Sequence, residues 1–139
     1  FMDRAAMMRR SAEAFADLGS AVRSLVTPVG AMSGGQKQSV AIARSVAWAN
    51  RVLFLDEPTA ALGVVQTANV LDMIRRVRNS GVAVVLISHS MPHVLEVADR
   101  VEVLRLGRRV ATLPAAGATV EQLVGAMTGA LDSKTGGHS

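Results

Sequence analysis

An α/β fold with parallel strands sandwiched by helices is predicted by three features of the sequence. Two unbroken apolar runs, Val52-Leu53-Phe54-Leu55 and Val82-Ala83-Val84-Val85-Leu86-Ile87, read as strands buried on both faces, as in a helix-covered parallel sheet. Between them Val70, Ile74 and Val77 form a helical apolar stripe. Strand, helix and strand over roughly thirty residues make a right-handed βαβ crossover with parallel strands. The first run ends in adjacent carboxylates, Asp56 and Glu57, and is cut off by Pro58. Acids at the carboxyl end of a parallel strand stand where open α/β sheets bind ligands.

In chain order, Met8, Ala12 and Phe15 recur at helical spacing and Gly19 stops that first helix after Leu18. Pro28 and Gly30 keep residues 20–32 irregular. Ser33-Gly34-Gly35 precede a second helix, to about Trp48, whose wide apolar set (Val40, Ile42, Ala43, Val46, Ala47) predicts packing on more than one side. The strand ending at Asp56 comes next, then a helix from about Gly63 to Asn79 with Arg75, Arg76 and Arg78 on its outer side and Ser80-Gly81 ending it. The second strand finishes at Ser88-His89, so Asp56, Glu57 and His89 are expected to gather on one sheet edge. A short helix near Pro92–Ala98 follows. Val101–Leu106 and Arg109–Leu113 then flank Gly107-Arg108 as an antiparallel hairpin. Thr119-Val120-Glu121-Gln122 has the form of a capping box opening a last helix with Val120, Leu123, Val124 and Met127 on one face. The Gly-, Ser- and Thr-rich residues 129–139 read as a flexible tail.

Composition narrows the function classes. The 139 residues, 50% hydrophobic, suffice for one domain's core. Three Phe, one Trp and no Tyr offer few platforms for stacking nucleic-acid bases. The +4 charge is scattered in short pairs such as Arg9-Arg10, with no basic stripe, so nucleic acid is not an expected partner. The absence of cysteine excludes disulfides, thiolate zinc sites and a thiol nucleophile. No apolar run approaches the length of a membrane span.

The candidate chemistry lies in three places. Ser33 can cap the second helix, while Gly34 and Gly35 let backbone amides approach an anion at the positive end of the helix dipole. An ordinary capped turn has the same sequence. Asp56 at a strand tip can hold Mg²⁺ through oxygen, and Glu57 beside it can orient or deprotonate a water. A solvated strand end also carries acids. His89 gains meaning only from sharing their edge; His93 and His138 have no comparable context and read as structural or solvated.

Jointly, Met32-Ser33-Gly34-Gly35-Gln36-Lys37-Gln38, then Val52–Pro58 with Thr59, then Ser88-His89 resemble the signature motif, Walker B motif and switch histidine of ABC-transporter ATPases. The resemblance runs to about residue 113 and implies a partial P-loop NTPase-like fold. It implies that Ser33, Gly34, Gly35 and Gln36 contact the γ-phosphate of ATP held by a second nucleotide-binding domain. It further implies that Asp56 supports Mg²⁺, Glu57 activates water and His89 senses the γ-phosphate. Thr59-Ala60-Ala61-Leu62-Gly63, the Val-rich strand before His89 and the Val101–Val110 hairpin look like bacterial importers of simple sugars. Gly63 stands where most of that family carries the D-loop aspartate. Such subunits are cytoplasmic, peripheral to the inner face of the plasma membrane, and drive transmembrane permease subunits.

No Gly-x-x-x-x-Gly-Lys-Ser/Thr occurs, and the Q-loop glutamine has no counterpart. The chain therefore resembles the C-terminal half of such a domain: 1–32 a remnant of the helical subdomain, 33–128 the C-terminal part of the ATPase domain, and 129–139 the tail. Without the P-loop lysine and its nest of amides the main ATP grip is lost. The expectation is a fragment inactive alone, or alternatively a non-catalytic half-domain that binds a permease or a full ATPase. Unpaired strand edges further predict self-association.

Overall fold

The computed structural model describes residues 3–19, 24–48 and 51–130, and the chain divides into two compact units, Phe1–Ile87 and Ser88–Ser139. The first unit opens with α1 (Arg4–Asp17), whose amides at Ala5 and Ala6 donate to Asp3 Oδ1 at 3.0 and 3.1 Å. Leu18 caps its end and Gly19 turns away at φ 60°. None of the residues of α1 is buried. Its Met7, Met8 and Phe15 instead line an open apolar groove of about 180 Å³ with Leu25, Met32 and Val40. After a 3-10 turn at Val29–Ala31, α2 (Gly34–Trp48) buries Ser39, Ile42 and Ala43 and crosses α3 (Val64–Asn79). The stripe expected on α3 is its core face: Val70, Ile74 and Val77 are buried, joined by Leu71 and Met73.

The strands β1 (Val52–Asp56) and β2 (Ala83–Ile87) pair in parallel, from Val52 opposite Ala83 to Asp56 opposite Ile87. α3 packs on β2 and joins the two as the expected crossover element. One expectation fails here. Leu53 and Leu55 are buried, but alternate residues are not: Phe54 is 70% exposed, with Val52 at 46%, Ile87 at 51% and Val85 at 41%. Burial on both faces needs a covering layer on each side, and a two-stranded sheet has two unpaired edges besides.

In the second unit α4 (Met91–Val97) carries Pro92 in its first turn, where a missing N–H is harmless. An antiparallel pair follows, β3 (Arg100–Arg105) with β4 (Arg108–Pro114). The turn sits one residue earlier than expected, at Leu106-Gly107, because these two residues take the positive φ values, 49° and 74°, that a two-residue hairpin requires. A bulge between Val103 and Leu104 shifts the register. α5 (Val120–Thr128) starts at the expected capping box: Thr119 Oγ1 accepts from Gln122 N–H at 3.2 Å and Gln122 Oε1 accepts from Thr119 N–H at 2.9 Å. Met91, Val103, Leu123 and Ala126 form the core of this unit, with Leu95, Val101, Ala111, Leu113 and Val120 packed around it. Gly129 ends α5 in the left-handed conformation. Residues 131–139, including His138 and most of the expected tail, lie outside the described residues.

Candidate functional site

The turn Ser33–Gln36 is a reciprocal cap. Ser33 Oγ accepts from Gln36 N–H at 3.3 Å, and Gln36 Oε1 accepts from Ser33 N–H at 2.9 Å. Used as an acceptor, the Ser33 hydroxyl still has its proton to donate. The N–H groups of Gly34 and Gly35 make no hydrogen bond among the described residues. Both lie in the first turn of α2, where orphan donors and the helix dipole favour an anion.

The two glycines play different parts. A methyl group on Gly34 would meet only Leu62, at 3.5 Å. On Gly35, which is buried, it would strike Gln66 of α3, 2.5 Å from Cγ and 2.7 Å from Cβ. Gly35 is therefore the close-approach point of the α2–α3 crossing. Gln66 also fills the space beside Gly63, its Oε1 standing 2.5 Å from where a Cβ there would lie. A single carboxamide thus packs against the capped turn and takes the room of a side chain at 63. Sequence reasoning missed Gln66, since nothing in its local pattern sets it apart from any polar residue in a first helical turn.

Glu57 follows β1 at φ 46°, a left-handed conformation for a residue with a Cβ. Such a backbone costs about 1 kcal/mol or more and re-aims the side chain away from plain strand alternation. The surroundings hold it there. Glu57 N–H donates to Ile87 C=O at 2.8 Å, extending the β1–β2 ladder, and its C=O accepts from Ala60 N–H at 3.1 Å. Pro58 and Thr59 next to it are buried. Asp56 is exposed and Glu57 half-buried.

His89 follows Ile87 by two residues, exposed at the start of the second unit, and His93 is half-buried in α4. Asp56 and Glu57 are thus brought to the end of β2, the strand that leads into His89. Among the described residues no group of three or more His, Cys, Asp or Glu could hold a metal ion. Asp56 therefore fits Mg²⁺ only as one oxygen in a shell completed by phosphate and water, the usual manner of binding that ion.

A sequence model of the family described as "ABC transporter" matches residues 3–60. The fructose import ATP-binding protein FrcA of Rhizobium meliloti is 45% identical over 93% of this chain. A ribose import ATP-binding protein of Burkholderia thailandensis is 43% identical over 88%. The chain belongs to the ABC transporter ATP-binding family. It spans about half of FrcA, 50%, and 25% of the ribose importer subunit. Solved ABC structures share the fold. An ATP-binding cassette dimer in a post-hydrolysis state with ADP and Pi superposes with TM-score 0.69 over 85% of this chain and 51% of its own, at 24% identity. An inward-facing conformation of a metal-chelate type ABC transporter gives 0.71 over 92% and 51%, at 22%. The partial P-loop NTPase-like α/β fold is thereby established for this ABC chain. Among the described residues no helix is long and apolar enough to cross a membrane.

Proposed function

We propose that this chain is the signature-and-Walker B half of the ATP-binding subunit of a simple-sugar importer. The observation that carries this reading is the Ser33–Gln36 turn, capped on itself with two glycine amides left to donate. Such a turn suits the γ-phosphate of ATP presented by a second nucleotide-binding domain. Asp56 supplies one oxygen to Mg²⁺, and Glu57, held by its ladder bond to Ile87, orients the attacking water. His89 donates to the γ-phosphate from the segment after β2. Phosphoryl transfer needs positioning and charge stabilisation more than covalent help, which suits residues that hold a phosphate, a metal ion and a water rather than attack. The sugar-import names of the relatives support the substrate class. The reading places the subunit in the cytoplasm, against membrane-embedded permease subunits.

The chain lacks the Gly-x-x-x-x-Gly-Lys-Ser/Thr sequence that grips the remaining phosphates. Alone it is expected neither to bind ATP tightly nor to hydrolyse it. The test is Mg²⁺-ATP turnover by the pure 139-residue chain, then by the same chain co-expressed with the part of FrcA that this chain does not match. Turnover only in the co-expressed pair, abolished by Glu57→Gln, supports the proposal. Turnover by the chain alone defeats it.

The second reading, a non-catalytic half-domain that docks on a permease or a full ATPase, draws on the exposed Phe54 face. A stable complex with that unmatched part of FrcA that never turns over ATP would favour it.

A further inference from the structure

The turn of the β3–β4 hairpin places a leucine where hairpins place Asn, Asp or Gly. Leu106 sits at φ 49° and is 95% exposed, so it is strained and fully wet at once. Leu104, one pleat back, is 70% exposed. Neither serves the core of this unit, which is built from Met91, Val103, Leu123 and Ala126. The cations stand immediately behind the apex: Arg105 opposite Arg108, and Leu104 opposite Arg109. Glu102, the only acid in β3 and β4, lies further back, bound to Arg100 at 2.9 Å and to Arg109 at 3.6 Å.

We propose that this hairpin tip is a membrane-docking element for an anionic lipid surface. The order of chemistry along the hairpin matches the order of chemistry across a bilayer surface. The apolar apex of Leu106 and Leu104 enters the acyl boundary, and the exposed Arg108 and Arg109 meet the phosphates above it, while the half-buried Arg105 stays against Gly129. A solvated turn has no use for a leucine in a strained conformation. An acidic groove on a protein would use the arginines, but it explains the convex leucine apex less well. The bulge between Val103 and Leu104 also twists the strand away from simple edge pairing with a partner strand. The contact is weak and reversible, a second anchor rather than an insertion. It stands on the second unit alone and does not depend on the nucleotide reading.

The test is co-sedimentation of the full chain with vesicles of phosphatidylcholine alone and of phosphatidylcholine with about 30% phosphatidylglycerol, at low and high salt. Binding is expected only to the anionic vesicles and to weaken with salt. Arg108→Ser is expected to lower the partition coefficient roughly five-fold. Leu106→Asn is expected to lower it roughly ten-fold or more while raising the thermal midpoint, because Asn suits the turn and leucine suits the lipid. A merely structural leucine would not move those two readouts in opposite directions. Phe54→Ser, in the first unit, is expected to leave vesicle binding unchanged. Equal binding to neutral vesicles, unaltered binding by Leu106→Asn, or loss of binding with Phe54→Ser each overturns the proposal. Binding to polyglutamate without binding to anionic vesicles overturns it in favour of an acidic protein partner.

Discussion

The outer face of the β1–β2 pair and the outer face of the β3–β4 pair meet the same solvent with opposite chemistry. The first presents Val52, Phe54, Val85 and Ile87. The second presents a polar ladder in which Thr112 Oγ1 donates to Glu102 at 2.7 Å, flanked by Arg100 and Arg109. The difference follows from strand direction. An antiparallel hairpin closes through its own turn and needs only α5 beneath it, so its outer face is free to be hydrophilic. Parallel sheets are as a rule covered on both sides, and among the described residues the outer face of this pair is apolar yet uncovered. The chain matches half the length of FrcA, and its parallel half is the part with an uncovered face.

The largest expected effect breaks the self-contained side of this comparison. Leu123 is 0% exposed at the centre of the second unit. Leu123→Ala should destabilise that unit by about 2–5 kcal/mol, the range for a buried leucine truncated to a cavity. Truncating Phe54, a larger side chain, should change stability by no more than about 0.5 kcal/mol, because most of it is already in water. Chemical denaturation of both variants measures the contrast. If the Phe54 face is the sticky one, light scattering should show self-association of the parent chain that Phe54→Lys reduces. Equal losses for Leu123→Ala and Phe54→Ala would erase the distinction between the two sheets.

The next effect separates the glycines of the capped turn. Gly35→Ala drives a methyl group into Gln66 and should cost about 1–3 kcal/mol, as overpacking does. Gly34→Ala, with only Leu62 in van der Waals reach, should be close to neutral for stability. Gln66→Ala removes the Cγ clash but leaves Cβ at 2.7 Å, so the double variant Gly35→Ala/Gln66→Ala should recover part of the loss, not all. A thermal-melt double-mutant cycle reads the coupling.

These residues also mark how far the sequence could be read. Periodicity revealed α3, the Ser/Thr-x-x-Glu/Gln pattern revealed the cap at Thr119, and a serine ahead of its helix suggested the cap at Ser33, because these are local rules. The apolar runs identified β1 and β2, yet two-sided burial presupposed neighbours that a run of residues does not specify. The hairpin turn was misplaced by one residue because Leu106 is a poor candidate for a positive φ. Glu57 was legible as a strand-end acid but not as a left-handed one, since no glycine announces it. Gln66 was invisible, because its part is played across a helix crossing. His89 was expected beside the acids, and its chain position two residues after Ile87 is what the fold adds.

A smaller effect tests the cap that the second unit owes to its own sequence. Thr119→Ala removes the acceptor for Gln122 N–H and should cost about 1 kcal/mol. Glu121 in the same turn is held below the usual carboxylate range by its own backbone amide and then by Thr119. The Thr119→Ala variant should therefore also lose part of that depression, measurable by NMR titration of the Glu121 side chain.

The smallest effect probes the outer ladder that distinguishes the hairpin from the parallel pair. The hydrogen bond from Thr112 is the main cause that holds the Glu102 carboxyl below its ordinary range; desolvation opposes it, and the charges of Arg100 and Arg109 add to the lowering. A carboxylate with a lower pKa folded than unfolded stabilises the fold above the unfolded pKa. That contribution is lost as pH falls through the folded value. Denaturation midpoints should hold near neutrality and drop as pH descends from about 4.5 into the acid range. Glu102→Gln keeps an acceptor for Thr112 but has no charge to titrate, so its acid drop should be shallower than that of the parent. Salt should narrow the gap between the two, because the ladder is exposed and its ion pairs are screened. An acid response identical in both chains would mean that the ladder only decorates the hairpin, and the contrast with the bare parallel face would then be one of solubility alone.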